Sequence, residues 1–139
     1  MKGGERIVNP KQFLMIGGVV LILVGILGFV GVIGPTQENS LFGETWWFDN
    51  YENWAHTILG IVALVASFAL KNAMAQKWLV IVVGVVGLLF GVVNLFLDAA
   101  APNLGGANLE NPTDTVLHLA VGAWALAAAM MKPKAKMPA

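Results

Sequence analysis

The chain has 139 residues, the length of a single domain. Hydrophobic residues make up 58% of it and charged residues only 12%, about half the share of a soluble domain, which excludes a surface that faces water on all sides. The absence of cysteine excludes disulfides and thiolate metal sites, and nothing in the sequence indicates a nucleic-acid partner.

Four long apolar segments follow one another along the chain. The first, residues 13–34, is uncharged and too long for the apolar region of a signal peptide, which has about 7–15 residues. At about 1.5 Å per residue, a helix of this length crosses a hydrocarbon core of about 30 Å. The other predicted spans are residues 50–70, 78–97 and 112–131. The sequence therefore predicts an all-α, four-helix membrane bundle in one transmembrane domain, with the lipid bilayer around it.

Charge is divided between the two ends of these spans. All eight basic residues fall on one side of the four-span model: Lys2, Arg6, Lys11, Lys71, Lys77, Lys132, Lys134 and Lys136. Seven of the eight acids fall on the other side or at its edge: Glu38, Glu44, Asp49, Glu52, Asp98, Glu110 and Asp114. Because loops rich in lysine and arginine stay in the cytoplasm, both termini are predicted to be cytoplasmic.

The second and fourth helices carry two copies of one pattern, [D/N]xx[E/D]xxxHxxxG, at a constant spacing of 62 residues. The matched pairs are Asp49 and Asn111, Glu52 and Asp114, His56 and His118, and Gly60 and Gly122. Asp49 and Asn111 are predicted N-caps, each with an acid three residues later, as in a capping box. The two histidines, the only ones in the chain, should therefore lie at the same depth near the outer edge of the membrane.

A second match extends the repeat to the first and third helices. Gly25 and Gly28 align with Gly84 and Gly87 at a spacing of 59, with three residues gained in the outer loop. The chain would then consist of two tandem helical hairpins in a parallel repeat. The glycines permit close approach of helix backbones, as small residues do in membranes.

Three interpretations of the histidine pair stay open. In the first, each ring pairs with its own helix or with loop backbone and has only a structural role. In the second, His56 and His118 ligate a haem iron between helices two and four, and Gly60 and Gly122 make room for the flat ring. In the third, His56, His118, Glu52 and Asp114 hold a divalent metal, with Asp98 near.

Two further features of the sequence are explained by membrane position and helix packing. The aromatic cluster Trp46-Trp47-Phe48 is typical of side chains at the lipid headgroup level, although it could instead cover a cofactor or a partner. Asn94 suits an interhelical hydrogen bond better than a transport pathway. No residue is predicted to be catalytic, and the sequence favours a protein without enzymatic activity while leaving that question open.

The helices NWAHTILGIVALVA and TVLHLAVGAWALAA give the chain its resemblance to a known group. It resembles an uncharacterised bacterial family of small four-helix membrane proteins, a domain of unknown function with paired HxxxG helices, over about residues 10–131. The resemblance implies a multi-pass protein of the bacterial cytoplasmic (inner) membrane and transfers no catalytic residue. The predicted function is an accessory or structural subunit of a membrane assembly, with a membrane-protein partner or a second copy. The alternative is a haem- or metal-binding protein using His56 and His118.

Overall fold

The structure is a computed structural model that describes residues 8–98 and 102–131. This part of the chain contains no strands and has four α-helices: α1 (Pro10–Phe29), α2 (Asn50–Ala69), α3 (Ala73–Asn94) and α4 (Thr113–Met130). Two short 3-10 turns, Gln37–Asn39 and Gly43–Thr45, lie in the loop between α1 and α2. All four helices are long and apolar enough to cross a membrane. The predicted all-α architecture with four spans is confirmed.

Helix α1 ends at Phe29, five residues before the end of the predicted first span at Gly34. The cause is Gly31, whose φ of +85° is a left-handed conformation that glycine adopts without strain. The backbone N–H groups of Val32 and Ile33 both donate to the carbonyl of Leu27, at 3.0 and 3.2 Å. A glycine in this conformation ends many helices and satisfies their last carbonyls.

Helix α3 begins at Ala73, five residues before the predicted start of the third span at residue 78. The Asn72 side chain is the reason, because its oxygen accepts hydrogen bonds from the backbone N–H of Met74 at 2.8 Å and of Ala75 at 3.4 Å. Asparagine is a strong N-cap for this reason. The connection between α2 and α3 is therefore only three residues long (70–72).

The two predicted N-caps have different outcomes. Asp49 caps α2 as expected. Its carboxylate accepts a hydrogen bond from Glu52 N–H at 3.0 Å, and the Glu52 carboxylate accepts one from Asp49 N–H at 3.1 Å. Asn111 does not cap α4, so that prediction was wrong. Pro112 occupies the cap position without a side-chain bond, and Asp114 accepts instead from the backbone N–H of Glu110 at 2.7 Å.

The helices pack as two hairpins. Helix α1 lies along α2 and α3 lies along α4, and the hairpins meet where α1 contacts α3 and α4. The main apolar core lies near the first turns of α1, where Phe13 and Leu14 pack with Val80 and with Ala125, Ala128 and Ala129. Phe13 also meets Trp124 edge to face, with 4.7 Å between ring centroids. Most other large apolar side chains face outward, as expected for helices surrounded by lipid.

Backbone contacts within each hairpin reveal which positions of α1 and α3 correspond. A Cβ added at Gly18 would lie 2.9 Å from the carbonyl oxygen of Gly60. A Cβ added at Gly84 would lie 3.1 Å from the carbonyl oxygen of Gly122. Because Gly60 and Gly122 are partners in the repeat, Gly18 corresponds to Gly84. The spacing between the first and third helices is therefore 66 residues (84 minus 18).

A second pair of contacts gives the same spacing. A Cβ at Gly25 would lie 3.0 Å from Thr57 N, and one at Gly91 would lie 3.1 Å from Leu119 N. Thr57 and Leu119 are themselves 62 residues apart, like the histidines. The predicted spacing of 59 was wrong, and so were its pairs: Gly25 with Gly84, and Gly28 with Gly87. Between matched positions of its two helices, the second hairpin is four residues shorter than the first (66 minus 62), whereas three extra residues were expected.

Each hairpin also has a buried asparagine near the end that carries the two long loops, but on opposite helices. In the second hairpin, Asn94 of α3 donates to the hydroxyl of Thr115 on α4 at 3.0 Å. In the first, Asn53 of α2 packs against Gly28 of α1 and is fully buried. With the spacing of 66, Gly28 corresponds to Asn94, and Asn53 corresponds to Thr115 at 62. The side-chain amide of Asn53 has no hydrogen-bond partner among the described residues, so the two hairpins keep a buried asparagine at one depth but not its hydrogen bond.

The charge division is visible in part. Lys11, Lys71 and Lys77 lie together at one end of the bundle, which we call the lysine end. The other end, which carries the loops between α1 and α2 and between α3 and α4, is called the acidic end. The remaining basic residues that supported the predicted orientation lie outside the described residues: Lys2, Arg6, Lys132, Lys134 and Lys136.

Candidate functional site

The two histidines have the same hydrogen bond in both hairpins. His56 Nδ1 lies 2.7 Å from the backbone carbonyl oxygen of Glu52, and His118 Nδ1 lies 2.7 Å from that of Asp114. A carbonyl oxygen can only accept, so Nδ1 carries a proton in each ring, and in the neutral imidazole Nε2 then carries the lone pair. Each imidazole therefore pairs with the backbone of its own helix, one turn earlier, and not with the carboxylate of that residue.

An aromatic ring stacks on each imidazole, but the two rings come from different parts of the fold. His56 stacks on Phe48 of the first outer loop, with 4.6 Å between centroids and 22° between planes. His118 stacks on Phe90 of α3 at 5.8 Å and 18°. Phe48 and Phe90 are not partners in the repeat. The hydrogen bond to the helix backbone is thus common to both histidines, whereas the packing around the rings differs.

Neighbouring helices occupy the space beside both glycines that follow the histidines. A Cβ at Gly60 would lie 2.7 Å from the carbonyl oxygen of Gly18, and one at Gly122 would lie 2.7 Å from the backbone nitrogen of Leu88. Gly60 and Gly122 were expected to make room for a macrocycle between α2 and α4. Instead, Gly60 lets α1 approach α2, and Gly122 lets α3 approach α4. The closest helix packing is therefore between α1 and α2 and between α3 and α4, and these glycines do not line a space between α2 and α4.

The carboxylates at this end bind loop and backbone groups. Asp114 is 1% exposed and accepts from the indole N–H of Trp46 at 3.0 Å and from the backbone N–H of Glu110 at 2.7 Å. Glu52 is 3% exposed and forms the capping box with Asp49. One oxygen of Glu52 is buried without a partner among the described residues. Neither carboxylate bonds to a histidine ring.

The four side chains predicted as a metal site are therefore not arranged as one ligand set. In residues 8–98 and 102–131, no group of three or more histidine, aspartate and glutamate side chains lies close enough to hold a metal ion. Asp98 is exposed in the loop, four residues after the end of α3, and does not join them. The structure brings Glu52, His56, Asp114 and His118 to the same end of the bundle, in two separate hairpins.

The two outer loops are joined by hydrogen bonds. Asn108, in the second loop, donates its backbone N–H to Asp49 at 2.6 Å, and its side-chain amide bonds to Glu110. Thr113 donates its hydroxyl to the carbonyl oxygen of Thr45 in the first loop at 2.8 Å. Together with the bond from Trp46 to Asp114, these contacts connect the hairpins at the acidic end. Sequence reasoning missed this network, because its partners are 59 to 68 residues apart.

Glu110 is a partly buried carboxyl of this network. Burial raises its pKa to about 8, and the nearby Asp114 carboxyl acts in the same direction. With a pKa of about 8, the Glu110 carboxyl is largely protonated at neutral pH. The exposed Glu38 behaves in the opposite way, because a hydrogen bond from Thr36 lowers its pKa. The buried part of the acidic end therefore carries less charge than its composition indicates.

Comparison with family models identifies the group. The match covers residues 11–131 of the chain, from the first turn of α1 to the residue after α4. The chain belongs to the family described as a domain of unknown function, DUF4383. The expected membership in a domain of unknown function with four membrane helices is confirmed, whereas the paired HxxxG helices as a family feature stay a prediction. No curated protein and no solved structure matches the chain.

Proposed function

We propose that this protein is a cofactor-free accessory or structural subunit of a larger membrane assembly. The observation that carries the proposal is the surroundings of the histidine pair. Both Nδ1 atoms bond to a backbone carbonyl oxygen of their own helix. The backbone of a neighbouring helix occupies the space beside the glycine that follows each histidine. The only histidines in the chain thus contribute to packing within the hairpins. Their presence in a membrane helix is explained without a ligand.

The exterior of the bundle supports a role within an assembly. Only 22–33% of each predicted membrane span is buried inside the chain. Helix α2 packs along α1 and has no comparable contact with α3 or α4. Its outward side presents large apolar side chains, including Trp54 at 59%, Ile58 at 54% and Val65 at 58% exposure. Such a helix is available to lipid, to a membrane-protein partner or to a second copy.

Haem or metal binding through His56 and His118 is the alternative. The bond from Nδ1 to a carbonyl oxygen supports it, because metal-ligating histidines usually have such a partner on the ring nitrogen that does not bind the metal. In this arrangement both Nε2 atoms carry a lone pair. To bind one ion, the Nε2 atoms on α2 and α4 would have to converge on it. A site with all four predicted ligands would also require the two carboxylates to leave their present hydrogen bonds.

One preparation distinguishes the two functions. We expect the protein, purified in mild detergent, to be colourless in its oxidised and reduced forms, to contain no stoichiometric metal, and to migrate with a second protein at constant stoichiometry. A Soret band or bound metal that disappears in both His56→Ala and His118→Ala would overturn the proposal in favour of the alternative. A lone monomer after extraction by several mild detergents would contradict the role as a subunit.

We further propose that the protein lies in a bacterial cytoplasmic membrane, with both termini and the lysine end facing the cytoplasm. Lys11, Lys71 and Lys77 at one end support this orientation. Cysteines introduced at Lys71 and Asn103 should react with a membrane-impermeant maleimide from opposite sides, and only Asn103→Cys should react in intact cells after the outer barrier is opened. Labelling of both from one side would refute the four-span topology.

A further inference from the structure

A cavity opens at the lysine end of the bundle. It has a volume of about 750 Å³, within the range of about 300–1,000 Å³ typical of small-molecule sites. Residues from the start of α1, the end of α2, the start of α3 and the end of α4 all line it. The cavity therefore lies between the hairpins, where the helices reach the membrane surface.

The charge around this cavity has one sign. Lys11, Lys71 and Lys77 line it, and no carboxylate of the described residues does. The first turn of α3 begins here as well, and a helix N-terminus adds a partial positive charge. Three ammonium groups attract an anion, and the carboxylates of residues 8–98 and 102–131 lie at the opposite end of the helices.

The walls of the cavity combine polar and apolar surface. Ser67 and Gln76 are buried on its inner side, at 1% and 8% exposure. Phe68 and Met130 present apolar side chains to it, and the ammonium of Lys11 lies 5.9 Å from the centroid of the Phe68 ring. An occupant that matches these walls has an anionic head and an adjoining apolar part.

From this geometry we infer that the cavity binds the phosphate headgroup of an anionic phospholipid, with the acyl chains leaving between the hairpins along apolar side chains. A 20-residue helix is about 30 Å long, so the ends of α1 and α2 lie at headgroup depth. Basic pockets between membrane helices are suited to such headgroups. A zwitterionic lipid fits less well because its amine would lie among the three lysines.

The test uses purified full-length protein in detergent, titrated with dioleoyl phosphatidylglycerol or dioleoyl phosphatidylcholine and followed by native mass spectrometry. We expect saturable binding of phosphatidylglycerol, at least tenfold tighter than that of phosphatidylcholine. Since each lysine near an anionic headgroup contributes about 1 kcal/mol, each substitution to glutamine should weaken binding about fivefold, and the triple variant about a hundredfold.

Two controls separate the site from general effects of charge and folding. Asn39→Asp changes the net charge as much as Lys77→Gln does, but at an exposed position of the acidic end, and should leave binding unchanged. The triple substitution to arginine keeps the charge and should retain binding. Equal affinity for the two lipids, or unchanged binding in the single glutamine variants, would overturn the inference. Displacement of the lipid by millimolar inorganic phosphate alone would also overturn it and identify a free anion as the ligand.

Discussion

Replacing Gly18 with leucine is expected to destabilise the first hairpin by about 3 kcal/mol or to prevent its packing. A Cβ at this position would lie 2.9 Å from the carbonyl oxygen of Gly60 and 2.9 Å from the backbone nitrogen of Leu64. Both atoms belong to helix backbone, which cannot move aside as a flexible side chain does, and overpacking costs about 1–3 kcal/mol or more. The free energy of unfolding, measured by circular dichroism in mixed micelles with increasing dodecyl sulfate, gives the effect.

The neighbouring glycine supplies the control. A Cβ at Gly17 would meet nothing within 4 Å, so Gly17→Leu should change the free energy of unfolding by less than about 0.5 kcal/mol. Gly84→Leu should cause a loss similar to that of Gly18→Leu, because a Cβ at Gly84 would lie 3.1 Å from the carbonyl oxygen of Gly122. Equal stability of the Gly17 and Gly18 variants would contradict the observed packing of α1 on α2.

Replacing Asp114 with alanine is the second change with a large expected effect, a loss of about 2–4 kcal/mol. The carboxylate accepts from Trp46 of the other hairpin and from the backbone N–H of Glu110. Its removal leaves both donors without their partner, and an unsatisfied buried polar group costs about 1–3 kcal/mol. The same unfolding measurement applies. Asp98→Ala is the matched control, because Asp98 is exposed at the same end of the bundle, and its effect should stay below about 0.5 kcal/mol.

A double-mutant cycle determines whether Asp114 connects the hairpins. Trp46→Phe removes the indole donor and keeps an aromatic ring. If the bond between Trp46 and Asp114 contributes as the geometry indicates, the losses in Trp46→Phe and Asp114→Ala should be less than additive by about 1 kcal/mol. Full additivity would mean that the bond does not stabilise the fold, and the loss at Asp114 would then be local to α4.

The helices and the capping of α2 could be predicted because their signals are local. Uncharged length specifies a membrane span, and an aspartate three residues before a glutamate specifies the start of α2. Local signals did not determine how many residues separate matched positions of α1 and α3. Glycines recur seven residues apart in both helices, at Gly18 and Gly25 and at Gly84 and Gly91, so a shift of two helical turns superimposes glycine on glycine. Only the contacts with α2 and α4 distinguish the two alignments.

The candidate site was predictable in position but not in its bonds. The matched histidines have equivalent bonds to their own helices, as the repeat indicated. The carboxylates were expected near the rings because they lie one turn earlier on the same face. They are directed elsewhere by groups that are distant in sequence: the indole of Trp46 for Asp114, and the cap of α2 for Glu52. Pairings between loops depend on the assembled fold, so a single sequence does not reveal them.

The glycine contacts within each hairpin also have a consequence for mutational tolerance. In a water-soluble core, the sensitive positions carry the largest side chains, because truncation leaves a cavity. Here the closest packing within the hairpins involves residues that have no side chain to lose, whereas many large apolar residues face outward. Substitution profiles of this protein should therefore be inverted: lipid-facing leucines and valines exchange freely among apolar residues, and the smallest residues tolerate the fewest replacements.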